Sequence, residues 1–295
     1  MFTLSCESTV DMPYSYISGR NIPVIFYNYT VDDVDYEDDM GRDPKSMDRF
    51  YAFLEAGRIP TTSQINAFRY QEFFEEQLAK GGDLIHICFG TGMTMSYNNA
   101  TMAAEELKEK YPDRKIYVID SLCSSSGYGM IVDYAADMRD EGKSIDEIYD
   151  WLMANRENIH HQFYSVDLKY YKRTGRMSGP TATLAAVLNI CPIMRLNVKG
   201  QIIAYSKVRG RDKAIETTVN WMAEHAAGGE DYSGKLFISH SRRPEDALAT
   251  KDALVKRFRN VNPDDIRICD IGTIIASHCG PGTLAIYFLG DRRPE

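Results

Sequence analysis

Short apolar runs alternate with amphipathic stretches along the first half of the chain. Residues 22–29 (IPVIFYNY), 84–89 (LIHICF) and 116–119 (IYVI) are apolar runs of strand length, the pattern of strands buried on both faces. Around them, apolar positions recur at helical spacing over 47–55, 65–79, 96–110 and 127–141. Strand–helix–strand order at this spacing predicts right-handed crossovers and a parallel sheet covered on both faces. Ligands of such sheets sit beyond the carboxyl ends of the strands.

The second half is less regular. It reads as a helix over 144–157, a strand over 162–166 and an apolar helix with small residues over 181–188. A hairpin follows, with strands 193–198 and 201–206 about Lys199-Gly200. Helices over 214–226 and 244–257 flank a strand at 235–240, and 266–275 and 283–289 read as strands separated by a Gly-Pro-Gly loop. No internal repeat or low-complexity tract interrupts this order. The change of pattern places a domain boundary in the region 155–165, giving domains 1–160 and 161–295.

Composition narrows the function classes. The chain has 295 residues, 44% apolar and 26% charged, the profile of a soluble globular protein. Thirty-four Lys and Arg against 42 Asp and Glu leave a net charge of −8, which argues against a general nucleic-acid or anionic-membrane surface. No run of 18 apolar residues occurs, and the first residues lack the basic start and apolar run of a signal peptide, so a cytoplasmic location is expected. The six cysteines are scattered without C-x-x-C, and His160, His161, His225 and His240 show neither H-x-x-x-H nor H-E-x-x-H spacing. Neither a disulfide framework nor a metal site is expected.

Three loops carry candidate chemistry. In residues 58–64 (RIPTTSQ), Thr61 and Gln64 have the spacing of a capping box, and the hydroxyls of Thr61, Thr62 and Ser63 can equally donate to an anion at a helix start. Residues 90–96 (GTGMTMS), with Thr91, Thr94 and Ser96, follow a strand directly and form either a carboxylate or phosphate cradle or a tight turn and cap; they are not a Walker loop. Residues 120–127 (DSLCSSSG) again follow a strand, so the hydroxyl-rich loops converge on one sheet edge. They lack the G-x-S-x-G of a nucleophile elbow, and Cys123 would need a base that the sequence does not place. His278 lies in a turn-rich loop (IASHCGPG), where functional side chains concentrate but structural ones also occur. Residues 207–213 (KVRGRDK) are a basic cluster, either solvated or a contact for phosphate or an acidic partner, and residues 32–39 are an acidic run expected in a solvated loop.

Taken together, these segments resemble the DegV family, the fatty-acid-binding proteins that serve bacterial fatty acid kinase. The resemblance runs in order along essentially the whole chain. Residues 36–64 resemble that family's loop, helix and Pro-Thr-Thr-Ser-Gln block, and residues 89–100 its strand–Ser-Ser-x-Leu-Ser-Gly-Thr-Tyr–helix block, with Thr94 standing in place of a serine. Residues 118–129 resemble its Val-Asp-Ser block and residues 167–179 (DLKYYKRTGRMSG) its Leu-x-x-Gly-Arg block. Residues 188–192, with Cys191 where lysine is common, and 207–213 resemble Leu-Asn-Ile-Lys-Pro and Lys-Val-Arg, and 271–282 follow Ile-Gly-x-x-Ile-x-x-His-x-Gly-Pro-Gly closely.

The resemblance implies an α/β fold of two domains, the N-terminal one on a parallel sheet and the C-terminal one on a mixed sheet that encloses an acyl chain. It implies that a long-chain fatty acid places its carboxylate against Thr61 or Thr62, Thr94 and His278, with Ser63, Thr91, Ser121 and Arg173 in support. Arg209 and Arg211 fall in the block that docks the kinase. The implied role is a carrier that presents its ligand for phosphorylation, not an enzyme, with no cofactor beyond the bound acid, no nucleic-acid partner and only transient membrane contact. The alternative is an acyl hydrolase or transferase using Cys123 or Ser121 with His278.

Overall fold

A computed structural model describes residues 2–175 and 190–295. The helix expected over 181–188, the end of the 167–179 block and the start of the 188–192 block lie outside the described residues.

The N-terminal half is built on β1 (Phe2–Glu7), β2 (Val24–Ile25), β6 (Asp83–Cys88) and β7 (Ile116–Asp120). These four form a wholly parallel sheet in the order β2-β1-β6-β7. Helices α1 (Tyr14–Gly19), α3 (Ala67–Ala79), α4 (Ser96–Lys110), α5 (Ser125–Asp140) and α6 (Ile145–Asn155) belong to this half. Ser144 and Glu147 form the capping box that starts α6. A smaller antiparallel sheet, β4-β3-β5, is made by β3 (Asn28–Val31), β4 (Val34–Glu37) and β5 (Thr61–Thr62), with α2 (Ser46–Glu55) between β4 and β5. The apolar run 22–29 is therefore not one strand. It supplies β2 to the parallel sheet and β3 to the small one, and the Tyr27 amide between them donates to Ser8 Oγ at 3.1 Å instead of to a ladder. The acidic run turns at Asp32-Asp33, both in the left-handed region, and continues as β4, but its Asp38 is buried.

The second sheet has six strands in the order β10-β9-β8-β13-β11-β12, mixed because β11 and β12 are parallel and every other pair is antiparallel. They are β8 (Ile159–Ser165), β9 (Ile190–Leu196), β10 (Ile202–Arg209), β11 (Leu236–His240), β12 (Ile266–Asp270) and β13 (Thr283–Leu289). Position 160 thus falls inside the first strand of this sheet. Helices α7 (Lys169–Thr174), α8 (Arg211–His225), α9 (Pro244–Arg257) and α10 (Thr273–Cys279) accompany this sheet among the described residues. The β9–β10 hairpin closes through a five-residue loop, with the Asn197 side chain accepting from the Lys199 and Gln201 amides, rather than through Lys199-Gly200 alone. Residues 266–275 are not one strand either: β12 stops at Asp270, and Gly272 starts α10, whose β-branched Ile274 and Ile275 read locally as strand.

Alternation divides the core. On one face of the six-stranded sheet, Tyr164, Ile193, Ile238, Ile286 and Phe288 pack in one cluster with Ala214, Val219 and Met222 of α8 and Ala247 and Leu254 of α9. On the other face, Phe163, Met194, Leu196, Phe237, Ala285 and Tyr287 join the N-terminal core. Among the described residues, no helix is long and apolar enough to cross a membrane.

Candidate functional site

Between the two domains lies a cavity of about 360 Å³. Phe163, Leu196, Ile202, Ala285 and Tyr287 of the six-stranded sheet form one wall, and Tyr27, Phe89 and Met93 of the N-terminal half form another. Ile274, Ile275 and His278 of α10 and Tyr171 of α7 close a side. Gly92 is required where the loop after β6 meets the β9–β10 loop, because a Cβ there would collide with the Gly200 carbonyl. The lining residues Ser63, Gln64 and Met95 are exposed, so the cavity opens to solvent beside them.

Buried polar groups hold these walls. Glu7, fully buried at the carboxyl end of β1, accepts from Tyr70 Oη at 2.5 Å, the Phe89 amide at 2.9 Å and Tyr27 Oη at 3.3 Å, fixing two of the aromatic walls. Burial, with the Glu7 carboxylate second, raises the Tyr27 phenol well above its ordinary range, so it stays a neutral donor. At the start of α10, Asp38 accepts from Thr273 Oγ1 at 2.7 Å and the Thr273 amide at 3.3 Å. Burial pushes Asp38 up to about 6. His161 lines the cavity from β8: the Ser124 amide donates to its Nε2 at 3.0 Å, so Nδ1 carries the proton and donates to the Ile159 carbonyl at 2.9 Å. Burial holds its pKa well below the usual histidine range, so this ring is neutral.

At the opening, Thr62 Oγ1 and His278 Nε2 are 2.8 Å apart. Residues 216 apart in sequence meet because β5 carries Thr62, paired with Tyr29 of β3, while α10 packs against this small sheet. Ser63, Thr91, Thr94, Ser124 and Ser125 add hydroxyls to the lining, and no Lys or Arg occurs among the described lining residues. Thr91 Oγ1 is taken by Asp120 at 2.6 Å, whereas Thr94 Oγ1 shares a 3.1 Å contact with Ser96.

The sequence-based candidates therefore separate. Thr62, Ser63, Thr91, Thr94 and His278 come together around the cavity. Thr61 faces the other way, as strand alternation requires, and is exposed opposite Thr30. Neither Thr61 nor Gln64 caps a helix: α3 starts later, with Asn66 Oδ1 accepting from the Arg69 amide at 2.9 Å. Ser121 is fully buried beneath the loop, accepting from the Cys123 amide at 3.1 Å, and lies outside the lining. Arg173 is exposed on α7 with its guanidinium 4.9 Å from the Tyr170 ring centre, also outside the lining. Arg209 is exposed at the end of β10, and Arg211 pairs with Asp246 at 2.6 Å. His278 sits on α10, not in a loop. Sequence reading put Ser124 and Ser125 in a candidate loop but assigned only Ser121 from it, and it missed His161 and the aromatic walls; the small Ala285 between Leu284 and Ile286 was the available signal for a hollow beside the sheet.

The hydrolase reading loses its geometry here. Cys123 is fully buried, with burial raising its thiol to about 12, and neither Cys123 nor Ser121 shares the cavity with His278.

Comparison with known proteins agrees with this architecture. A sequence model of the DegV family, described as "Uncharacterised protein, DegV family", matches residues 2–291. A DegV domain-containing protein of Clostridium perfringens is 35% identical over 295 residues, covering 99% of this chain and 98% of its own length. The solved structure of a DegV family protein from Thermus thermophilus, described for its fatty acid binding, superposes with a TM-score of 0.85 at 23% identity over 98% of this chain and 99% of that one. A fatty acid binding DegV family protein of Streptococcus agalactiae gives 0.84 at 23% identity, covering 99% of each chain.

Proposed function

This chain belongs to the DegV family, and from that premise we propose that it binds a long-chain fatty acid and presents the carboxylate to a separate fatty acid kinase. The observation that carries the reading is the apolar cavity between the domains with the Thr62–His278 pair, 2.8 Å apart, at its opening. Each methylene moved from water to such walls contributes about 0.8 kcal/mol, so about ten contribute roughly 8 kcal/mol before the costs of binding. Shape and apolar area hold the chain. The carboxylate cannot follow it into the apolar interior without donors. Thr62, Thr94 and His278 supply them where Ser63 and Gln64 meet solvent, so the head group stays reachable for phosphoryl transfer. Arg209, exposed on β10, and the half-buried Arg211 are the proposed kinase contacts, and membrane contact is limited to loading and unloading the acid.

Native mass spectrometry of the purified protein tests this reading. One long-chain acid per chain is expected, with weaker retention in His278→Ala. Protein that is repeatedly free of ligand and gains no thermal stability from added fatty acids would overturn it.

A further inference from the structure

On the helix-covered face of the six-stranded sheet, three groups distant in sequence converge. His160 projects from β8, His225 ends α8, and Asp291 follows β13. His160 Nε2 lies 3.0 Å from Asp291 Oδ1, and His225 Nδ1 lies 3.1 Å from each Asp291 oxygen. One donor atom from each residue fits within 4.8 Å of the other two. Bonds of about 2.0–2.1 Å to a tetrahedral zinc ion place its donors roughly 3.3 Å apart, so this set needs little movement to close on an ion.

The backbone keeps the three groups in register. The Asp291 amide donates to the His225 carbonyl at 3.0 Å, the Gly290 amide donates to the Asn158 carbonyl at 2.9 Å, and Ala226 bridges to Gly290. The His160 ring is held between Phe288, stacked at 4.8 Å, and His225 at 5.2 Å. The Asp291 side chain is 59% exposed and that of His225 20%, which leaves room for water to complete the coordination. The other such cluster among the described residues, Glu7, His86 and Cys88, is sealed, and its carboxylate is occupied by Tyr27, Tyr70 and the Phe89 amide.

We propose that His160, His225 and Asp291 form a binding site for a divalent transition-metal ion of the zinc type. Two imidazoles and a carboxylate are a zinc donor set, with water in the remaining position. Trp221 makes the event visible. Its Nε1–H donates to His160 Nδ1 at 3.3 Å, so in the metal-free ring the proton sits on Nε2, against Asp291. Coordination at Nε2 moves that proton to Nδ1 within the same ring and breaks the indole hydrogen bond. The Trp221 ring centre is also only 4.1 Å from that of His225.

Untagged full-length protein, stripped with a chelator, is titrated with zinc chloride and followed by calorimetry and tryptophan emission. One zinc ion per chain is expected, with a change in emission. His225→Gln and Asp291→Asn, both at partly exposed positions and checked for native circular dichroism, should each weaken binding at least tenfold, since loss even of outer-shell partners costs that much. Trp221→Phe should retain the heat of binding and lose the emission change, leaving Trp151 as a silent reporter. Absence of saturable binding, wild-type affinity in either ligand variant, or an emission change that survives Trp221→Phe would each overturn the proposal.

Discussion

Along β13, Leu284, Ile286 and Phe288 turn toward α8 and α9, whereas Thr283, Ala285 and Tyr287 turn toward the N-terminal domain, and all six are at most 3% exposed. The two rows are equally buried but differently packed. The first fills its space with large aliphatic and aromatic groups. The second mixes a hydroxyl, a methyl and a phenol and leaves a cavity of about 360 Å³. The same contrast appears in β8, where His160 stacks on Phe288 and accepts a hydrogen bond from the tilted Trp221 ring while its neighbour His161 faces the cavity. Accessibility alone does not distinguish a core from a ligand site. The size and polarity of the side chains on each face do.

The sharpest way to break this comparison is to cut into the packed row. Ile286→Ala should cost about 2–5 kcal/mol in denaturant unfolding, since a fully buried aliphatic group leaves a void that cannot collapse. A loss below about 1 kcal/mol would mean that the helix-covered face is as loosely filled as the other.

The second test uses pH. His160 has a folded pKa of about 4 against about 6.5 unfolded, so between these values the unfolded state binds more protons. Stability therefore rises with pH across that window, is complete above about 6.5, and is lost as pH falls toward 4. The contribution reaches up to about 3 kcal/mol, and His160→Gln should flatten the slope measured by urea unfolding between pH 4 and 6.5.

On the open row, Ala285→Leu should leave folding nearly unchanged and reduce fatty-acid affinity. The added side chain takes the room of about three methylenes at ~0.8 kcal/mol each, or roughly fiftyfold in Kd by ligand titration. Equal destabilisation by Ala285→Leu and Ile286→Ala would erase the distinction between the rows. The smallest expected effect separates the two faces of β5. Thr62→Ala should weaken binding by about tenfold, the loss of one hydrogen bond to a charged group, and Thr61→Ala should leave Kd unchanged.

Much of the fold was legible. The bounds of α4, α9 and β13 follow from their apolar periodicity, and the helix expected over 144–157 contains α6. Where local and tertiary preferences disagreed, local reading failed. Ile274 and Ile275 favour strand, but their helix packs against the small sheet with its amino end tied to Asp38, and that outweighs propensity. The run 22–29 looked like one strand because periodicity cannot report that its two ends join different sheets.

The site divides in the same way. The amino-acid sequence by itself determined that the chain is α/β, that hydroxyl-rich loops follow two of its strands, and that Thr62, Thr94 and His278 belong to one family pattern. Only the tertiary structure decided that Thr62 and not Thr61 faces the cavity, that Ser124 and Ser125 line it while Ser121 is buried, and that His160, His225 and Asp291 meet. The physical reason is range. Periodicity and caps are set by neighbours within a turn or a strand, whereas a cavity or a donor cluster depends on the distance between elements, and packing across the whole chain sets that distance.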